Sequence, residues 1–303
     1  MRVAITGATG LVGSAIAEKF RAGGHQVTPV TRSLGSVGHG ERAVVWHPER
    51  GIIEADGLEG HDVVIHLAGE SIAGVWTPAK KRRIRESRVK GTTLLARTLA
   101  GLKEKPRALF SASGMNIYGA HPPDREIDES VPPGTGFLAD VGREWEASTR
   151  AAEEAGIRVV HMRFGNVLSP DGGMLGTLIP IFRLGLAASF GSGRQMWPWI
   201  ALEDIPPAIL HLLERPEISG PVNFVAPDPV SNDEFTRALA GALGRPSLLS
   251  IPKFATRLAP GGMGDEILLG GARLVPRRLL DAGYEFRQPK LEPALRTMLA
   301  KDR

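Results

Sequence analysis

Cysteine is absent from this 303-residue sequence. Disulfides, thiolate metal ligands and a cysteine nucleophile are excluded together, and the chain suits a reducing compartment. Long apolar runs are missing as well: none approaches the roughly 20 residues of a bilayer-spanning helix. Met1 to Gly13 is apolar, but Gly7, Gly10 and Gly13 interrupt it and Arg2 is its only charge. A secretory signal reads differently, so the expected location is the cytoplasm. An excess of one charge is also missing: 37 Lys and Arg against 33 Asp and Glu leave a net +4. With 42% hydrophobic and 23% charged residues, the composition is that of a folded globular chain and not of a disordered one. The length suffices for one large α/β domain, or for a main domain with a smaller lobe.

The densest basic run is Lys80-Lys81-Arg82-Arg83, followed by Arg85 and Arg88. It reads as a nucleic-acid surface or as a solvated helix face; without interleaved aromatics or a binding motif, the helix face is the better reading. The expected partner is a small-molecule substrate, with no nucleic acid and no membrane, for a monomer or homodimer.

Val3-Ala4-Ile5 reads as a buried strand ending in Thr6-Gly7. Leu11, Ile16, Ala17 and Phe20 then recur at helical steps until Gly23-Gly24. Further strands are expected at 26–30, 44–45, 62–67, 108–111 and 158–162. Helices are expected at about 78–101 (with Ile84, Val89, Leu94, Leu95 and Leu99 on the apolar side) and 137–155. Such alternation predicts right-handed βαβ units, a parallel sheet with helices on both faces, and so a doubly wound α/β domain of Rossmann type. After about residue 168, Gly and Pro cluster at 170–173, 191–198 and 259–264, with helices near 203–214, 232–243 and 290–301. Residues 1–168 are therefore expected to form the dinucleotide-binding domain, its sheet completed by parts of 195–226. Residues 169–194 and 227–303 are expected to form a smaller lobe on the substrate side.

Gly7-Ala8-Thr9-Gly10-Leu11-Val12-Gly13 is G-x-x-G-x-x-G directly after a strand and opening a helix, the context in which this motif signals a dinucleotide. Gly7 permits the tight turn, Gly10 lets the backbone approach a pyrophosphate, and Gly13 lets helix and strand pack closely. The helix start offers free N–H groups to phosphate. Thr9, Leu11 and Val12 belong to the same expected cradle. At the end of the second strand, NAD binders usually place an acid for the ribose hydroxyl. Here stand Thr31-Arg32-Ser33: a guanidinium suited to a 2′-phosphate, flanked by two hydroxyls. NADP is the expected cofactor.

That glycine spacing, with His66-Leu67-Ala68-Gly69 after the fourth strand, resembles the extended short-chain dehydrogenase/reductases. So do Ser111-Ala112-Ser113 followed by Tyr118-Gly119, Arg163-Phe164-Gly165-Asn166-Val167, and Trp197-Pro198-Trp199-Ile200 followed by Asp204. A closer likeness spans nearly the whole chain. Ala68-Gly69-Glu70, Ile84-Arg85-Glu86-Ser87-Arg88-Val89-Lys90-Gly91-Thr92, Phe137-Leu138-Ala139, Trp145-Glu146, the run Val225 to Asn232 and the run Leu274 to Leu279 are similar to an epimerase-like family of atypical members, the SDR39U type. That family carries an additional C-terminal segment of unknown function. The resemblance implies a Rossmann fold, NADP(H) binding and a poorly defined reaction. It also puts Leu67, Ala68, Gly69, Glu70, Arg88 and Val167 on the cofactor side.

Typical members of the superfamily use Tyr-x-x-x-Lys on the helix after the serine strand. The Lys lowers the Tyr pKa, and the Tyr moves a proton. Counting back from Arg163, Glu146 falls at a familiar Glu place, Leu138 at the Tyr place and Gly142 at the Lys place. Neither of the last two can transfer a proton. Arg88 stands where an Asn is usual and is a candidate for the lost positive charge. Ser113 and Tyr118 are the remaining catalytic candidates; Tyr118 also reads as a structural residue at the cleft's lip. Glu70 reads equally as a contact to cofactor or substrate and as a helix cap. His47, His61 and His161 lack metal-ligand spacing. Met196, Trp197 and Trp199 read as pocket or as core. Two functions stay open: an NADP(H)-dependent oxidoreductase or epimerase for a small polar substrate, a sugar nucleotide among the candidates, or a non-catalytic NADP(H)-responsive binding or regulatory protein.

Overall fold

The computed structural model describes residues 1–33, 42–257 and 260–300; the expected helix end at 301 and the start of the Gly/Pro cluster at 259 lie outside them. Its centre is an eight-stranded sheet. In chain order the strands are β1 (Arg2–Thr6), β2 (Gln26–Thr31), β3 (Val44–His47), β4 (Ile52–Ile53), β5 (Val63–His66), β6 (Ala108–Gly114), β7 (Arg158–Phe164) and β8 (Gly220–Phe224). Their order across the sheet is β8-β7-β6-β5-β1-β2-β3-β4. Every neighbouring pair is parallel except β3 with β4.

The strands alternate between two cores. Val3, Ile5, Val63, Ile65 and Phe110 face one side, where α1 (Leu11–Ala22) contributes Ile16 and Phe20. Ala4, Val64 and Leu109 face the other, where α2 (Pro78–Gly101) contributes Leu95 and Leu99. Burial on both faces is why these strands read as continuous apolar runs. α2 starts where expected because Thr77 accepts from the Lys80 N–H and Pro78 occupies the first turn. Val89, expected on its apolar side, is only half-buried.

The helix expected at 137–155 is two, α3 (Phe137–Ala147) and α4 (Arg150–Glu154). At the break the Ser148 hydroxyl donates to Glu144 O and that of Thr149 to Glu146 O, the side-chain competition that weakens a helix interior.

Residues 220–224 close one sheet edge, whereas Trp199–Ala201 pair with Asn166–Ser169 outside the main sheet. A second core gathers Leu175 and Phe182 of α5 (Gly173–Arg183), Phe235 and Leu239, and Leu295 of the helix Leu291–Ala300. Trp197 and Trp199 belong to this core. The C-terminal segment is fastened to the rest by buried groups: Asp204 accepts from the Arg287 and Gln288 N–H groups, and Asn223 donates to Val275 O.

Candidate functional site

The chain reverses its progress across the sheet between β1 and β5, since β2 and β3 lie on one side and β6 and β7 on the other. At such a switch point the loops after neighbouring strands part and leave a crevice. A cavity of about 630 Å³ opens there. Gly7, Thr9 and Gly10 line it from the β1 loop, Thr31, Arg32 and Ser33 from the end of β2, and Leu67, Ala68, Gly69 and Glu70 from the end of β5. Trp46 of β3 and Pro48 just after it line it too; no motif there marked them in the sequence.

The three glycines have separate reasons. Gly7 has φ +69, a left-handed conformation that favours glycine. At Gly13 a Cβ would stand 2.1 Å from the Gly7 carbonyl oxygen, so the helix can pack there only without a side chain. At Gly10 a Cβ would meet only the Gly7 oxygen, at 3.4 Å, so the space beside that residue is cleft and not protein. A cradle open above a glycine backbone, at a helix start, with Arg32 at one end, fits a dinucleotide.

Beneath the crevice runs a buried chain of hydrogen bonds. The Thr6 hydroxyl accepts from the Leu67 and Ala68 N–H groups and lies 2.7 Å from His66 Nδ1. With its lone pairs so used, it donates to Nδ1, which leaves His66 Nε2 to donate to Thr92 Oγ1 at 2.9 Å. Thr92 also accepts from Trp145 Nε1. Burial pushes the His66 pKa down to about 4, so the ring is neutral, as this chain requires.

A second, inner cavity of about 300 Å³ shares Leu67 with the first. Val12, Arg88, Ser113, Asn116, Leu138, Gly142, Trp145 and Asn166 line it. Leu138 and Gly142 thus stand beside Ser113, and a Cβ at Gly142 would lie 3.0 Å from Ile117 side-chain carbons. The Ser113 hydroxyl donates to Glu146 Oε1 at 2.7 Å. Burial raises the Glu146 pKa, but the paired bonds from Arg163 outweigh it and hold the carboxyl below its ordinary range.

Tyr118 is a correction. It is fully buried, away from either cavity lining, with its hydroxyl donating to Asn223 and accepting from Arg163. Burial pushes its pKa up to about 12, against the opposing pull of Arg163. A phenol so enclosed cannot reach a ligand in the cavity. Nor is Arg88 its cation: that guanidinium lies over the Trp145 ring, 4.9 Å from its centroid. Arg88 lines the inner cavity, with its pKa lowered to about 10 by burial. Leu11 packs near Gly172 and Gly173. Val167, expected beside the cofactor, pairs with Ile200, while the inner lining takes its neighbours Phe164, Gly165 and Asn166. Met196, Trp197 and Trp199 are buried away from either cavity lining.

Glu70 does not cap α2, a task Thr77 performs. Its carboxylate takes Lys80 at 2.8 Å and Arg83 at 3.4 Å. Arg85 pairs with Glu144, and Lys81 lies over the Trp76 and Phe137 rings. The basic run is thus largely engaged within the molecule. Among the described residues no group of three His, Asp or Glu side chains is placed to hold a metal, and no helix is long and apolar enough to cross a membrane.

The C-terminal segment, expected as part of a lobe on the substrate side, also reaches the site, through residues that no local pattern singled out. Glu266 accepts from the Phe137 and Leu138 N–H groups with its two carboxylate oxygens, at 2.9 and 2.8 Å. Ile267 joins the inner cavity wall.

Residues 3–225 match the model of the NAD dependent epimerase/dehydratase family, and residues 251–298 that of a domain of unknown function, DUF1731. An epimerase family protein of Mycobacterium bovis is 41% identical over 294 residues, 97% of this chain and 96% of that one. The crystal structure of the human epimerase family protein SDR39U1 with NADPH superposes with a TM-score of 0.89 at 33% identity, covering 99% of both chains. A UDP-glucose 4-epimerase from Thermus thermophilus, in complex with NAD, shares the fold with a TM-score of 0.75 at 22% identity, covering 99% of this chain and 98% of that one.

Proposed function

The chain belongs to the NAD dependent epimerase/dehydratase family, and we propose that it is an NADP(H)-binding protein of oxidoreductase or epimerase type acting on a small polar substrate. One observation carries this reading: two cavities that meet at Leu67, the outer one lined by Arg32 and the open glycine turn and the inner one by Ser113. In this reading the backbone around Gly7 and Gly10 receives the pyrophosphate. Arg32, with Thr31 and Ser33, receives the 2′-phosphate. Leu67, Ala68 and Gly69 form the wall that leads into the inner cavity. The NADPH seen with the human relative supports the phosphorylated dinucleotide; the Thermus neighbour holds NAD.

When bound, the cofactor supplies a hydride donor or acceptor at its nicotinamide ring. The chain's own groups do the rest. Ser113 keeps its lone pairs free for a substrate donor while Glu146 holds its proton. Asn166 offers its amide, and Asn116, whose Nδ2 donates to Glu266 O, its amide oxygen, to a substrate's polar atoms. Leu138, Val141 and Trp145 exclude water. The family's usual phenol–ammonium pair has no counterpart at Leu138 and Gly142, so ordinary alcohol–ketone chemistry is not expected.

That last feature favours a second reading, a non-catalytic protein that responds to NADP(H) occupancy. Fluorescence titration with NADPH and NADH tests the shared premise, with NADPH expected to bind more tightly. Single-turnover oxidation of bound NADPH across a panel of small carbonyl compounds separates the two readings. Hydride transfer to any of them supports the enzyme, and none supports the responsive binder.

A further inference from the structure

Arg88 is the one charged side chain among the described residues that line the inner cavity. Its guanidinium is held by one nitrogen: Nη1 donates to Glu70 O at 2.9 Å and to Ile84 O at 3.1 Å. Both acceptors are neutral carbonyls. The nearby Glu70 carboxylate points its bonds at Lys80 and Arg83 instead. Nε and Nη2 of Arg88 have no hydrogen-bond partner among the described residues. A cation left half-buried against Trp145 and Gly69, with the Glu70 carboxylate acting on it only from a distance and no direct ion pair among the described residues, is costly unless an anion completes it. The rest of the wall is mostly apolar, with Ile72, Leu138, Trp145 and Ile267. Among the described residues the Asn166 amide on the same wall has no side-chain partner either. One cation, mostly apolar walls and about 300 Å³ describe a site for a single small oxyanion and not for a chain of phosphates.

We propose that the inner cavity is a subsite for a small organic acid, whose carboxylate docks on the free Nε and Nη2 edge of Arg88. The fork of two N–H groups matches the two oxygens of a carboxylate. The proposal deepens the NADP(H) reading and rests on it for the substrate's place. It makes the substrate a carboxylic acid, with Arg88 a specificity-determining residue. A phosphate of the cofactor itself is the other source of an oxyanion, and the experiment separates the two.

The full chain, saturated with NADPH, is titrated by calorimetry with benzoate and with its neutral isostere benzamide. Benzoate is expected to saturate the chain at least tenfold more tightly than benzamide. In Arg88→Met, measured at NADPH concentrations that saturate it, that preference falls below twofold. Arg88→Lys, which keeps the charge, retains part of the preference and serves if the first variant does not fold. Equal binding of the two probes, no binding of either, or a preference that survives in folded Arg88→Met overturns the proposal. So does a tenfold loss of NADPH affinity in Arg88→Met, which assigns the guanidinium to a cofactor phosphate. The same titration is run without NADPH. If wild type fails to bind NADPH at all, the dinucleotide reading falls, and the benzoate preference of the free chain still reports on Arg88.

Discussion

Arg163 Nη1 lies 2.8 Å from the Tyr118 hydroxyl, and its guanidinium carbon stands 4.8 Å from the centre of that ring. The phenol therefore sits against a cation, as a proton-transferring tyrosine would, yet it does so inside the core. Replacing Tyr118 with Phe leaves Arg163 and Asn223 each short of a partner. It is expected to cost about 1–3 kcal/mol of stability in denaturant unfolding. NADPH affinity should not change, and a loss of binding would return Tyr118 to the site.

Arg32 is exposed at the end of the outer cavity. Arg32→Ala should weaken NADPH by about 1–3 kcal/mol, the scale of a charge-assisted hydrogen bond, and leave NADH nearly unchanged. Titration of both cofactors against both chains measures it.

Gly10 and Gly13 should respond differently although they stand only three positions apart. A side chain at Gly10 has room beside the protein and occupies the cleft, so Gly10→Val should fold and bind neither dinucleotide. At Gly13 the added carbon collides with the Gly7 backbone, so Gly13→Val should lose stability first. Thermal melts with and without NADPH distinguish the outcomes, and normal binding by folded Gly10→Val would displace the phosphates from this turn.

His66 gives stability a pH dependence of known sign. Its pKa is about 4 when folded, depressed by burial from an ordinary value near 6.5. The unfolded chain therefore binds the extra proton first. The contribution is complete above about pH 6.5 and is lost as pH falls toward 4, reaching about 3 kcal/mol. Urea unfolding at stepped pH should show this slope, and His66→Gln should flatten it over that window. An unchanged slope would mean that the ring is not held neutral.

The outer cavity was legible in sequence because its parts are local. The glycine turn follows its strand directly, and Arg32 and Leu67-Ala68-Gly69 sit at strand ends whose apolar runs announce them. Tyr118 was not legible, because what surrounds it arrives from 45 and 105 residues away, in Arg163 and Asn223. The break after Ala147 was hidden for a different reason: the apolar periodicity continues through it, and the competing hydroxyls of Ser148 and Thr149 look innocuous in a helix pattern. Arg88 was visible as a departure from the family's habit, but its free edge and its position over Trp145 are properties of packing.

Glu266 gives the protein an order of assembly. A chain emerging from the ribosome presents the glycine turn and completes most of the sheet long before residue 266. Until that carboxylate arrives, the first N–H groups of α3 have no cap and the inner cavity lacks its Ile267 wall. The nascent protein can thus shape the outer cleft while the inner one is still unfinished. The inner cavity beside Ser113 is completed only once residues 266 and 267 have been made.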